Sequence, residues 1–120
     1  MSSIITCKTT QELDNNYTDI TGSELDTAGG LNTNGIVAFV VTTTNDASVK
    51  LLASMDGDTW FALLTYDMDG VINTDEIATT TNTPLYFTTA TSWTTGFRYY
   101  KLSAKDNGTG ATLTATGTAK

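Results

Sequence analysis

Ser48–Tyr66 reads SVKLLASMDGDTWFALLTY. Val49, Leu51, Ala53 and Met55 share one side of an extended chain, because successive side chains alternate between faces. Trp60, Ala62, Leu64 and Tyr66 do the same further on. Between the two runs stands Asp56-Gly57. An acidic residue before Gly is a hairpin signal, since Gly takes a positive φ without a Cβ clash. The stretch predicts a strand, a tight acidic turn and a second strand with Trp60 in the core. It sets the fold class as β.

Upstream, Gly35–Thr44 (GIVAFVVTTT) begins apolar on both faces. Ile36, Ala38 and Val40 take one face, and Val37, Phe39 and Val41 the other. Such a strand is central in its domain or covered by a partner on its second side. Asn45-Asp46 then turns the chain into the hairpin.

Downstream, Asp69-Gly70 marks another turn before a strand near Val71–Ala78. Thr79–Thr83 is a polar loop closed by Pro84, and Leu85–Ala90 a short strand. Thr91–Gly96 turns again around Trp93. In Phe97–Ala104 (FRYYKLSA), Phe97, Tyr99 and Lys101 fall on one side and Tyr100, Leu102 and Ala104 on the other. Asp106-Asn107-Gly108 turns the chain into Ala111–Ala119, a last strand with one wet, Thr-rich face.

Residues 1–34 differ. Their apolar residues are sparse and separated by Asn15-Asn16, Thr21-Gly22-Ser23 and Ala28-Gly29-Gly30. They read either as an arm that orders against a neighbour or as peripheral strands, near Ser3–Lys8 and Tyr17–Leu25. Residues 35–120 form the sandwich core, and the whole is one domain. About eight short strands at regular intervals predict a single antiparallel β-sandwich, jelly-roll-like.

The totals agree. The chain has 120 residues and 39% hydrophobic residues, enough for one modest core. Thr makes up roughly a fifth, and its β-branch suits a half-buried pleated surface. The net charge of −7 disfavours nucleic acid and anionic membranes as partners. Cys7 is the single cysteine, so no intrachain disulfide or four-Cys zinc site can form. The N-terminus has no signal-peptide pattern, and no apolar run reaches membrane-spanning length. Synthesis in a reducing cytosol fits.

There is no His, which removes His-based triads and general catalysis. The carboxylate pairs Asp56/Asp58, Asp67/Asp69 and Asp75/Glu76 sit in turns, where Asp usually bonds to its own backbone. No enzyme and no cofactor are expected. Thr65–Glu76 overlays part of a calcium loop, with Gly70 at the sharp turn, Asp67 and Asp69 as oxygen ligands and Glu76 as the bidentate group. Thr65 stands where Asp is needed and no helices flank the loop, so a hairpin turn is the preferred reading.

Trp60, Tyr66, Tyr86, Trp93, Phe97, Tyr99 and Tyr100 read first as core or interface packing and second as a sugar-stacking platform. Trp93, in a polar loop, is the candidate for exposure. Arg98 and Lys101 are expected to pair with turn carboxylates.

The motif Ser54-Met55-Asp56-Gly57-Asp58-Thr59-Trp60, with the later Phe97-Arg98-Tyr99-Tyr100-Lys101-Leu102, resembles small β-sandwich virion proteins of tailed bacteriophages. A Gly-rich turn and a Thr-rich last strand, as in residues 107–114, belong to the same pattern. A looser likeness extends to discoidin-type jelly rolls. The match covers about residues 48–118, and Asp56, Gly57, Trp60, Arg98 and Tyr99 are fold markers within it. The resemblance implies a virion structural protein, most readily a capsid decoration or cement protein. It would be a small homo-oligomer, assembled in the host cytoplasm and bound to the major capsid protein or another virion protein. The contact elements would be Ile36–Val41 and the N-terminal arm, whose removal (residues 2–15) should leave a folded domain that no longer binds particles. The alternatives are a glycan-binding or host-adhesion module of a fibre, and a tail-tube or connector component.

Overall fold

Two antiparallel sheets pack face to face. The structure, a computed structural model, describes residues 5–27, 36–89 and 97–119. Trp93 and its turn, like Ala28-Gly29-Gly30, lie outside these residues. The strands are β1 (Ile5–Leu13), β2 (Thr18–Asp19), β3 (Leu25–Asp26), β4 (Val37–Thr43), β5 (Ala47–Ser54), β6 (Phe61–Ala62), β7 (Ile77–Ala78), β8 (Leu85–Thr88), β9 (Tyr99–Asp106) and β10 (Ala111–Ala119). One sheet runs β1-β10-β4-β8. In the other, β9 and β5 are central; β2 and β3 share the outer edge of β9, and β6 and β7 that of β5.

Each sheet is therefore four positions wide, which accounts for the eight strands expected. β1 lies on β10, β2 and β3 on β9, β4 on β8, and β5 on β6 and β7. The chain is one long antiparallel ribbon doubled back at the β5–β6 hairpin. It winds until β10 meets β4 and β9 meets β5. That winding is a jelly roll. Asp56-Gly57 sits at the tip of the ribbon, and Gly57 takes φ 84° there.

The alternation read in β4, β9 and β10 holds. Val37, Phe39 and Val41 are buried, as are Tyr100, Leu102 and Ala104, and Leu113 and Ala115. Val49, Leu51 and Ala53 meet them from β5. Phe39 and Phe87 stack at 5.9 Å between ring centroids. Burying each such side chain contributes about 1.5–3 kcal/mol. β4 is central in its sheet, yet its outward Val40 stays 43% exposed.

Small hydroxyls knit the interior. Thr43 and Thr79 pair oxygen to oxygen at 2.7 Å, and Thr79 Oγ1 accepts the Ala47 N–H at 2.9 Å. Ser23 Oγ accepts the Leu102 N–H at 2.9 Å and donates to Ile20 O at 2.6 Å. Among the described residues no buried side-chain polar atom lacks a partner. Thr serves such positions because it is β-branched for the pleat and carries one hydroxyl for the backbone.

Several expectations are corrected. β5 ends at Ser54, and Met55 turns outward to 63% exposure. The second arm of the hairpin is only Phe61–Ala62, with Leu63 N–H still bonded to Leu51 O at 2.9 Å. Trp60 precedes it in the loop and is half-buried, outside the core. The expected strand Trp60–Tyr66 stops because the chain crosses to the other sheet. There Tyr66 exchanges backbone hydrogen bonds with Thr88 at 2.8 and 3.0 Å. Val71–Ala78 shrinks likewise to β7, with Ile72 bridging only Tyr66.

The N-terminal segment is woven in over residues 5–27. β1 pairs with β10 along its whole length and ends on buried Leu13. The single strand expected at Tyr17–Leu25 is split into β2 and β3 by a turn at residues 20–24, where Ile20 and Ser23 dip into the core.

Candidate functional site

The hairpin tip is built by two short side chains. Ser54 Oγ accepts the Gly57 N–H at 2.8 Å and donates to Asp56 Oδ1 at 3.0 Å. The same Asp56 oxygen accepts the N–H groups of Asp58 and Thr59 at 2.8 and 2.9 Å. Those N–H groups, with Ser54, hold the Asp56 carboxyl below the ordinary carboxylate range. Trp60 closes the loop by donating its Nε1–H to Gly57 O at 3.2 Å.

Next to this tip β3 and β9 bring Asp26 opposite Tyr99 and Leu25 opposite Tyr100. Arg98 grips Asp26 through Nε and Nη2 at 2.8 and 3.1 Å. Asp26 in turn raises the guanidinium's affinity for its proton. A groove of about 380 Å³ opens between the tip and β3. Trp60, Tyr99 and the buried Tyr100 are its aromatic residues, and Glu24, Asp26 and Asp56 supply its carboxylates. Other depressions, one near Glu12 and Thr112 and one near Asn45 and Asp46, have no ring in their walls.

The outer face of the β9–β5 sheet gathers most of the chain's cations. Lys101 Nζ lies 4.0 Å above the Trp60 ring and pairs with Asp19 at 2.7 Å. Arg98 lies 4.7 Å from the Tyr99 centroid. Lys50 and Lys105 lie 4.3 and 5.1 Å from the centroid of Tyr17. Tyr17 donates its hydroxyl to Glu76 Oε1 at 2.6 Å. Burial first, and then that bond to a carboxylate, push the Tyr17 phenol up; the same bond holds Glu76 down. Arg98 and Lys101 do pair with carboxylates, but these belong to β3 and β2 rather than to the turns. Tyr17 is a site residue the sequence reading missed. Its partners lie more than thirty residues away, and no local pattern announces them.

The structure scatters the remaining aromatics. Tyr100 is core, Tyr86 lies on β8, and Phe97 packs on the core beside Phe61 at 6.2 Å. Asp67 closes its own turn, as the hairpin reading requires. Its Oδ1 accepts the N–H groups of Asp69 and Val71, both at 2.9 Å, and Gly70 has φ 79°. With Glu76 bonded to Tyr17, the calcium-loop overlay does not assemble. No group of three or more His, Cys, Asp or Glu able to hold a metal ion gathers among the described residues.

A second feature lies between β5 and β7. Met55, Phe61, Leu64, Met68, Val71 and Ile72 are all exposed, Met68 to 77%. Val40 is the other exposed large apolar side chain among the described residues. Thr65–Asp67 and Val71–Asn73 form a short ribbon, with Asn73 N–H bonded to Thr65 O at 2.7 Å and Asp67 N–H to Val71 O at 2.9 Å. Residues 55–76 carry Asp56, Asp58, Asp67, Asp69, Asp75 and Glu76, and no Lys or Arg.

No family model matches the chain, and no curated protein sequence matches it. Among solved structures it is similar to the SPBc2 prophage-derived protein YomS, at a TM-score of 0.51 and 12% identity over 95% of each chain. It is also similar to the Yersinia pseudotuberculosis-derived mitogen, at a TM-score of 0.50 and 15% identity over 99% of this chain and 86% of that one. At such identity the likeness establishes a shared fold, an antiparallel β-sandwich.

Proposed function

We propose that this chain is a non-enzymatic structural protein of a bacteriophage virion, of the kind that decorates a capsid shell. The observation that carries the reading is the run of exposed apolar side chains between β5 and β7. Large apolar side chains left exposed together along one segment mark a place where another macromolecule docks. The resemblance of the Ser54–Trp60 and Phe97–Leu102 motifs to phage virion sandwiches and the likeness to a prophage-derived protein support the phage assignment.

The mechanism is burial without chemistry. The ribbon around Met68 enters an apolar recess on the shell, and the flanking carboxylates meet Lys or Arg at its rim. Free copies repel one another through their net charge of −7, so they stay soluble until a basic surface offers itself. On the shell the protein acts in many copies, as a small homo-oligomer.

The test uses particles of the encoding phage assembled without this protein. The wild-type chain is expected to cosediment with them and to label lattice points of the head. The variant Met68→Ser/Val71→Thr/Ile72→Thr, with unchanged circular dichroism, is expected not to cosediment. Attachment by that variant as strong as wild type removes the ribbon from the account. Label confined to the tail removes the decoration reading.

A further inference from the structure

We propose that the groove between the hairpin tip and β3 binds a neutral saccharide. This stands beside the attachment reading and does not depend on it, because no exposed apolar residue of the ribbon lines the groove.

Volume comes first. About 380 Å³ falls in the lower part of the range for small-molecule sites, roughly 300–1,000 Å³. Two aromatic walls and convergent polar groups are what such sites present. Trp60 and Tyr99 are 39 residues apart in the chain and meet here because β9 pairs with β5 up to Ser54, the residue before the loop. Two of the lining side chains are tied to the loop: Trp60 to Gly57 O, and Asp56 through the Ser54, Asp58 and Thr59 bonds.

Charge then selects the ligand. Each ring already carries a cation of its own, Lys101 over Trp60 and Arg98 over Tyr99. Neither cation is among the residues that line the groove, although Arg98 is bonded to Asp26, which is. A ring whose electrons already face a cation adds little attraction for a second one, so the rings themselves do not select a charged ligand. Glu24 and Asp56 on the rim repel phosphate, sulfate and carboxylate. A neutral ligand with an apolar face for the rings and hydroxyl donors for the carboxylates uses both features of this lining. A sugar ring has both. Its C–H face lies on an aromatic ring through dispersion, and its hydroxyls donate charge-assisted hydrogen bonds to Glu24 and Asp56.

The experiment is a glycan array with the full chain. The indole N–H resonance of Trp60, assigned by its absence in Trp60→Ala, is then followed as each hit is titrated. At least one neutral glycan is expected to shift it saturably. Trp60→Ala, in a loop outside the core, is expected to stay folded and to weaken binding by at least about tenfold. Glu24→Gln keeps an acceptor for the Gly22 N–H and is expected to weaken binding by roughly threefold or more, as a charge-assisted bond becomes neutral. Three results overturn the proposal: no neutral glycan binding, binding unchanged in both variants, or a Trp60 shift produced only by sialylated glycans or tetramethylammonium chloride. Each leaves particle attachment by the ribbon standing. Loss of attachment in the ribbon variant, conversely, leaves glycan binding in place.

Discussion

Gly117 lies flat beneath the ring of Phe39. The two are directly opposed in the β10–β4 register, and a Cβ on residue 117 would stand 2.3 Å from Phe39 Cε1. The ring cannot retreat, because Phe87 stacks on it at 5.9 Å. Gly117→Ala is expected to destabilise by about 1–3 kcal/mol through overpacking. Urea unfolding measures it. Phe39→Leu in the same chain should recover part of the loss, and strict additivity of the two changes would show that the clash is not the cause.

Thr79 holds the two sheets through Thr43 and the Ala47 N–H. Thr79→Val preserves the shape and strands these two buried polar groups. The expected cost is about 1–3 kcal/mol for each one left without a partner. A denaturation midpoint equal to wild type would mean that water or a neighbour replaces the hydroxyl.

Deletion of residues 2–15 now has the opposite expectation from the one the sequence gives rise to. It removes β1, the covered edge of β10, and Leu13 from the core. It also removes the Asp14 carbonyl, which accepts the Asp106 N–H at 2.8 Å. The truncated chain is expected to lose its cooperative thermal transition. A sharp transition near the wild-type temperature would return residues 2–15 to the status of an arm.

The Tyr17–Glu76 bond sets an acid-side dependence. Glu76 is held below its ordinary value chiefly by the Tyr17 hydroxyl. Its folded pKa is therefore lower than its unfolded one. The contribution is present above the unfolded value and is lost as the pH falls through the folded one. In Tyr17→Phe the Glu76 carboxyl is expected to titrate higher, toward the ordinary glutamate value, and the acid-side loss of stability to become shallower. Carboxyl carbon shifts followed through a pH titration decide it. An unmoved Glu76 would assign its low value to Lys105, 3.8 Å away.

What the sequence settled by itself follows from local geometry. Side chains alternate along any extended chain, so Val37/Phe39/Val41, Tyr100/Leu102/Ala104 and Leu113/Ala115 were legible as shared faces before any fold was known, while which face of β4 and β9 turns inward was not. Asp-Gly turns at residues 56–57 and 69–70 were legible too, because φ freedom and a carboxylate acceptor act within four residues. Only the tertiary structure decided where strands end. The chain from Phe61 leaves one sheet for the other at Tyr66, and that exchange moved Trp60 to a groove wall and left Leu64, Met68 and Ile72 outside. The groove and the Tyr17–Glu76 pair join segments dozens of residues apart. Their meeting depends on how the ribbon winds, which no window of a few residues contains.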